Sequence, residues 1–202
     1  MKTAVIIPAR YGSTRFPGKP LAADASGKQL IQYVWEAASQ TAGVDRVIVA
    51  TDDERIRDAV AAFGGEVRMT SPDHRSGSDR AAEVARSLDH DIVVNLQGDE
   101  PTIRPEMISQ TVQLLVEDAA CVIGTLATKI ENPQELADPN VVKVVLDDNG
   151  RALYFSRSVI PHVRGATDPL GESPVPHWVH LGLYAYRREF LLEFSRMPPH
   201  PL

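Results

Sequence analysis

Arg10, Arg15 and Lys19 fall within one short loop, Pro8-Ala9-Arg10-Tyr11-Gly12-Ser13-Thr14-Arg15-Phe16-Pro17-Gly18-Lys19-Pro20-Leu21, which also holds the hydroxyls of Ser13 and Thr14. Clustered cations neutralise phosphate oxygens, and Gly12 and Gly18 let main-chain amides come close to them, so the loop suits a polyphosphate. The spacing is neither that of the Walker loop nor that of the dinucleotide fingerprint. A second segment, Asn95-Leu96-Gln97-Gly98-Asp99-Glu100-Pro101, follows a buried strand, and open α/β sheets bind ligands beyond such strand ends. Asp99 would face the cationic loop there. A hard divalent cation, Mg2+, bridging Asp99 and phosphate oxygens gives a carboxylate reason to stand opposite cations. The alternative is a turn or capping aspartate. Glu100 is either a second acid near the metal or only the residue before a turn proline. The polar stretch His74-Arg75-Ser76-Gly77-Ser78-Asp79-Arg80 could read a pyrimidine edge, bind phosphate at a helix start, or simply cap a helix.

The elements that must position these residues alternate. Residues 3–7, 46–51, 66–70 and 91–96 read as strands. Residues 30–38, a segment with Ile56, Val60 and Phe63 on one face, residues 78–85 and a segment opening at Pro105 read as helices. Alternation with short loops predicts an α/β fold with a doubly wound, mostly parallel sheet, and β-branched runs without alternation fit strands covered on both faces. Beyond about residue 120 the character changes. Residues 141–146 and 151–157 predict a β-hairpin extension turned by Asn149-Gly150, a favoured turn pair. Residues 161–177 read as a mobile Pro- and Gly-rich loop beside the site, and 177–186 as a late strand. No linker is evident, so the reading is one domain, residues 1–202, with a nucleotide-binding half to about 120 and a second half from about 121.

The 202 residues carry a net charge of −6, which argues against nucleic acid or an anionic membrane as partner. Hydrophobic residues make up 43% of the chain, enough for a real core. The single cysteine, Cys121, allows no internal disulfide and reads as a buried strand residue. No apolar run is long enough to span a bilayer, and the start of the chain reads as a strand rather than a signal peptide. The expected compartment is the cytoplasm.

Six motifs carry a resemblance: the loop 8–21, His-x-Ser-Gly-x-Asp-Arg (74–80), Gln-Gly-Asp-Glu-Pro (97–101), Asn-Val-Val-Lys (140–143), Tyr-Phe-Ser-Arg (154–157) and His-x-Gly-Leu-Tyr-Ala-Tyr (180–186). In this order they resemble the 3-deoxy-manno-octulosonate (Kdo) cytidylyltransferases, over essentially the whole chain. The resemblance implies a nucleotide-diphospho-sugar transferase fold, Rossmann-like, and a reaction joining CTP and Kdo into CMP-Kdo and pyrophosphate for lipopolysaccharide synthesis. It implies that Pro8, Ala9, Arg10, Ser13, Arg15, Lys19, Ser76 and Gln97 hold the nucleotide and that Arg80, Gln97, Arg157 and His180 meet the sugar. Arg10, Lys19 and Asp99 would be catalytic, with Mg2+ on Asp99, and the chain would form a homodimer through its later sheet and hairpin. Neuraminate or an amino analogue of Kdo are the alternative sugars. Family members usually continue beyond Leu202, where a Glu-Gln pair and a second metal-binding aspartate lie. No residue of this chain takes those roles, so a nucleotide-binding form without turnover is a further alternative.

Overall fold

The computed structural model describes residues 1–12, 16–173 and 175–198. Two compact units emerge, residues 1–124 with 183–202, and residues 125–182. The second half of the chain is thus not one block, because residues 183–202 return to the first unit.

In the first unit the order is β1 (Thr3–Ala9), a 3₁₀ turn at Lys19–Leu21, α1 (Leu30–Ser39), β2 (Arg46–Thr51), α2 (Glu54–Ala62), β3 (Glu66–Met69), α3 (Gly77–Ala85), β4 (Ile92–Leu96) and α4 (Pro105–Glu117). β1 pairs in parallel with β2 on one side and β4 on the other, and β3 adds in parallel to β2. Ala4 to Ile7 of β1 and Ile92 to Val94 of β4 are fully buried, as strands covered on both faces require. Because side chains alternate, Ala4 and Ile6 join Ile48, Ala50, Val93 and the helix residues Ala81, Ala82 and Ala85 in one core layer. The small residues of α3 let that helix lie close to the sheet. On α1, Ile31, Val34 and Ala38 form the buried stripe, and α1 packs against α4. Pro105 occupies the first turn of α4, where its missing N–H costs nothing.

The second unit contains most of β5 (Ile123–Lys129), then α5 (Pro133–Ala137), β6 (Lys143–Leu146), β7 (Ala152–Ser156), α6 (Pro169–Glu172) and the first half of β8 (Trp178–Arg187). β6 pairs antiparallel with β7 and with β8. The second half of β8 pairs antiparallel with β4 in the first unit, Leu96 opposite Leu183, and is followed by α7 (Arg188–Phe194).

Two expectations need correction. Cys121 is half-buried and precedes β5 rather than lying inside a buried strand, with its thiol 3.2 Å from the Ile123 carbonyl; Val122 and Ile123 are exposed, so the apolar run did not mean burial. The hairpin itself forms as expected, β6 against β7 with Asn149 and Gly150 in its turn. Only Gly150 is left-handed (φ 74°), the Asp147 carboxylate accepts from the amides of Asn149 and Arg151, and the strand shifts register between Val145 and Leu146. Residues 161–177 are not without regular structure, since α6 lies within them.

Gly98, in the turn after β4, sits where a Cβ would lie 3.0 Å from Ile31 Cδ1 and 3.1 Å from the Pro8 carbonyl oxygen. The turn therefore packs directly on the end of β1. Gly98→Val should lower stability by about 1–3 kcal/mol through overpacking, read as a reduced urea midpoint. An unchanged midpoint would show that the turn is not held against β1.

Candidate functional site

β1 and β4 are parallel neighbours, but the chain leaves them in opposite directions: β2 and β3 lie beyond β1, and β8 beyond β4. Such a reversal of strand order opens a crevice at the carboxyl ends of the two strands. A cleft is found there, lined by Pro8, Ala9 and Arg10 from the end of β1, Gln97 from the end of β4, and His74, Arg75, Ser76, Gly77 and Arg80 around the start of α3.

Each wall is fixed by local chemistry. Ser76 caps α3 by accepting from the Asp79 amide (3.1 Å), and the Asp79 carboxylate accepts from the Ser76 amide (3.1 Å), a reciprocal capping box. The capped-helix alternative is therefore realised at Ser76, and the same residue also lines the cleft. Arg80 is buried, with Nη2 3.3 Å from Asp52 Oδ1 and Nη1 donating to Thr70 Oγ1. Its guanidinium is thus held by the residues that immediately follow β2 and β3. His74 Nε2 is hydrogen-bonded to Glu83 Oε2, which also accepts from the Ser71 amide at 3.1 Å. Burial works to raise the Glu83 carboxyl, but the His74 and Ser71 bonds outweigh it and hold that carboxyl below its ordinary value. Asp52 and Glu83 escaped the sequence reading. The position of Asp52 at a strand's carboxyl end was the available signal.

The cationic loop is anchored at both described ends. The Gly18 amide donates to the Tyr11 carbonyl at 2.8 Å, and Gly18 is left-handed (φ 72°). A Cβ at Gly18 would lie 2.8 Å from the Tyr11 ring. The Arg55 guanidinium lies over the same ring, 3.3 Å from its centroid. Asp53 in turn grips Arg55 with both oxygens, at 2.9 and 2.6 Å, and the Arg55 hydrogen bond lowers the Asp53 carboxyl. Immediately after Gly18, Lys19 Nζ stands 2.8 Å from Asp99 Oδ2, with 41% and 45% of the two side chains exposed. The cation and the carboxylate read from the sequence thus meet. Ser13 and Arg15 lie outside the described residues.

Among the described residues no cluster of three or more His, Cys, Asp or Glu could hold a metal. Asp99 is a single, half-exposed oxygen donor. That suits Mg2+, which takes one or two carboxylates and completes its shell with phosphate and water oxygens.

Arg157 and His180 belong to the second unit. Arg157 is exposed just after β7, and its Nη1 donates to the carbonyls of Pro139 (3.0 Å) and Asn140 (3.4 Å). His180 is on β8, with Nε2 2.9 Å from Thr125 Oγ1 and its ring edge-on to Phe155. Burial pushes the His180 imidazole below its ordinary 6.5, so it is neutral at neutral pH.

The cytidylyltransferase family profile matches residues 4–202. The 3-deoxy-manno-octulosonate cytidylyltransferase of Syntrophotalea carbinolica is 54% identical over 205 residues, which take in 100% of this chain and 82% of that protein. Its counterpart in Geobacter metallireducens is 52% identical over 207 residues, 100% of this chain and 81% of that protein. A solved structure of CMP:2-keto-3-deoxy-manno-octonic acid synthetase complexed with CTP is 47% identical, with a TM-score of 0.91 over 100% of this chain and 80% of that one. With a switch-point cleft, a sheet of the nucleotide-diphospho-sugar transferase kind and identity of this level along its whole length, the chain belongs to the 3-deoxy-manno-octulosonate cytidylyltransferase family.

Proposed function

We propose that this chain transfers the cytidylyl group of CTP to Kdo, releasing pyrophosphate and giving CMP-Kdo, the activated sugar for lipopolysaccharide synthesis. The observation that carries the reading is the meeting of Lys19 and Asp99 at 2.8 Å beside the switch-point cleft, in a chain 54% identical to a named Kdo cytidylyltransferase.

The anomeric hydroxyl of the sugar attacks the α-phosphorus in line with the leaving pyrophosphate. A new P–O bond forms, the bond to the β-phosphate oxygen breaks, and the hydroxyl proton passes to solvent. Such a transfer needs positioning and charge stabilisation more than covalent help. Arg10 and Lys19, with Ser13 and Arg15 by resemblance, hold the phosphates. Main chain at Pro8 and Ala9, with Ser76 and Gln97, seats the cytidine. Lys19 exchanges Asp99 for phosphate oxygens as the nucleotide enters. The exchange is cheap, because an exposed pair of this kind contributes no more than about 1 kcal/mol. Asp99 would hold Mg2+, which when bound neutralises phosphate charge and makes a coordinated hydroxyl more acidic.

On the sugar side, Arg157 is suited to a carboxylate, which a guanidinium grips with two donors. By resemblance, His180, neutral and half-buried, meets a sugar hydroxyl, and in the first unit Arg80 and Gln97 are the residues assigned to the sugar. The compartment is the cytoplasm, consistent with a free Cys121 and with no helix of the described residues being long and apolar enough to cross a membrane. The chain works as a homodimer joined through the hairpin. In β7, Leu153, Tyr154 and Phe155 are 66%, 54% and 42% exposed, an apolar strand that among the described strands pairs only with β6. Such an edge invites a partner strand or surface.

Pyrophosphate release should require CTP, Kdo and Mg2+ together, and Asp99→Asn should lower kcat by about 100-fold or more. Full turnover by that variant would remove the metal role, and equal use of neuraminate would remove the sugar assignment. In sedimentation equilibrium the protein should run at twice its chain mass, and Leu153→Lys should shift it towards the monomer. A monomeric wild type would refute the dimer.

A further inference from the structure

Among the described residues Lys143 is the largest side chain without solvent contact, and the chemistry above does not use it. Its Nζ donates to three main-chain carbonyls, Asp138 at 2.6 Å, Val141 at 3.0 Å and Arg157 at 3.1 Å. An ammonium has three protons, so the group is saturated, yet none of its partners is a carboxylate. A buried cation without a counter-ion is costly, and an apolar side chain on β6 would avoid that cost.

The partners suggest what offsets it. Asp138 and Val141 bracket a turn whose two inner carbonyls, Pro139 and Asn140, receive Nη1 of Arg157. The Asp138 carboxylate closes the turn on the Asn140 amide at 2.8 Å. Four consecutive carbonyls are therefore held by two cations, one from inside and one from outside. The third acceptor of Lys143 is the carbonyl of Arg157 itself. Lys143 thus fixes both the main chain that carries Arg157 and the shelf on which its guanidinium rests. With Nη1 docked on that shelf, the Nε–Nη2 edge is the one left to meet a carboxylate in the two-donor geometry.

We propose that Lys143 is a positioning residue for recognition of the sugar acid, acting through Arg157; this rests on the sugar-binding role assigned to Arg157 above. Lys143 touches no substrate. Its ammonium, set among three carbonyls, holds the guanidinium in one orientation, and without that placement Arg157 remains present but unaimed.

Steady-state kinetics of the full chain, with folding followed by circular dichroism, test this on Lys143→Met, Arg157→Ala and the double variant. Lys143→Met should raise the KM for Kdo by about tenfold while the KM for CTP stays within about twofold, and in the Arg157→Ala background it should add almost nothing. Equal losses for both substrates, or effects that multiply in the double variant, would overturn the proposal. If Arg157→Ala raises the KM for Kdo and Lys143→Met does not, the positioning role falls while the sugar assignment stands. An unchanged KM for Kdo in Arg157→Ala would remove both. Should Lys143→Met not fold, Lys143→Arg keeps the charge but cannot set one ammonium among three carbonyls. It should show the same Kdo-selective rise, and its absence would likewise overturn the proposal.

Discussion

The parallel pairing of β1 with β4 is the constraint from which the first unit's chemistry follows. Thr3 to Ile6 lie opposite Ile92 to Asn95, so the end of β1, Pro8 to Arg10, and the turn after β4, Gln97 to Asp99, emerge side by side. Both strands are buried in an apolar sheet and cannot slip by one residue without turning their core faces outward. Gly98 adds a second lock, because its lack of a side chain lets the turn after β4 rest on the carbonyl of Pro8. The cationic loop and the acidic turn are thus brought together by the core beneath them, not by their own attraction.

This separation of duties recurs among the charged groups. Lys19 and Asp99 are each about half exposed, so their mutual attraction is screened and readily exchanged for a ligand's charges. Arg80 and Lys143 are buried, and their side chains are held by fixed protein groups, Thr70 and Asp52 for the first, three carbonyls for the second. Groups that must change partner lie at the surface, and groups that hold walls in place lie inside. Arg157 stands between the two classes, with one nitrogen docked and the rest of its fork exposed.

Much of the first unit was legible because parallel strands covered on both faces leave an unmistakable β-branched run, and because Pro105 and the residues before α3 mark helix starts. Lys19 and Asp99 were legible because opposite charges after two core strands must converge at a switch point. The second unit was harder to read. Its strands are short and partly exposed, so Cys121-Val122-Ile123 looked like a core strand although two of its three residues are exposed. The turn at Asn149-Gly150 depends on the Asp147 carboxylate, which a pair preference does not register. Lys143 shows the limit most clearly. A lysine in a β-branched run suggests an outward side chain, and only the fold supplies the three carbonyls that draw it in.

A crystal structure of the chain with CTP and Mg2+ tests the central claim most directly. It should show Lys19 Nζ parted from Asp99 and within about 3 Å of a phosphate oxygen, with an Asp99 oxygen at about 2.1 Å from the metal. A nucleotide bound elsewhere, with the Lys19–Asp99 pair still closed, would contradict it.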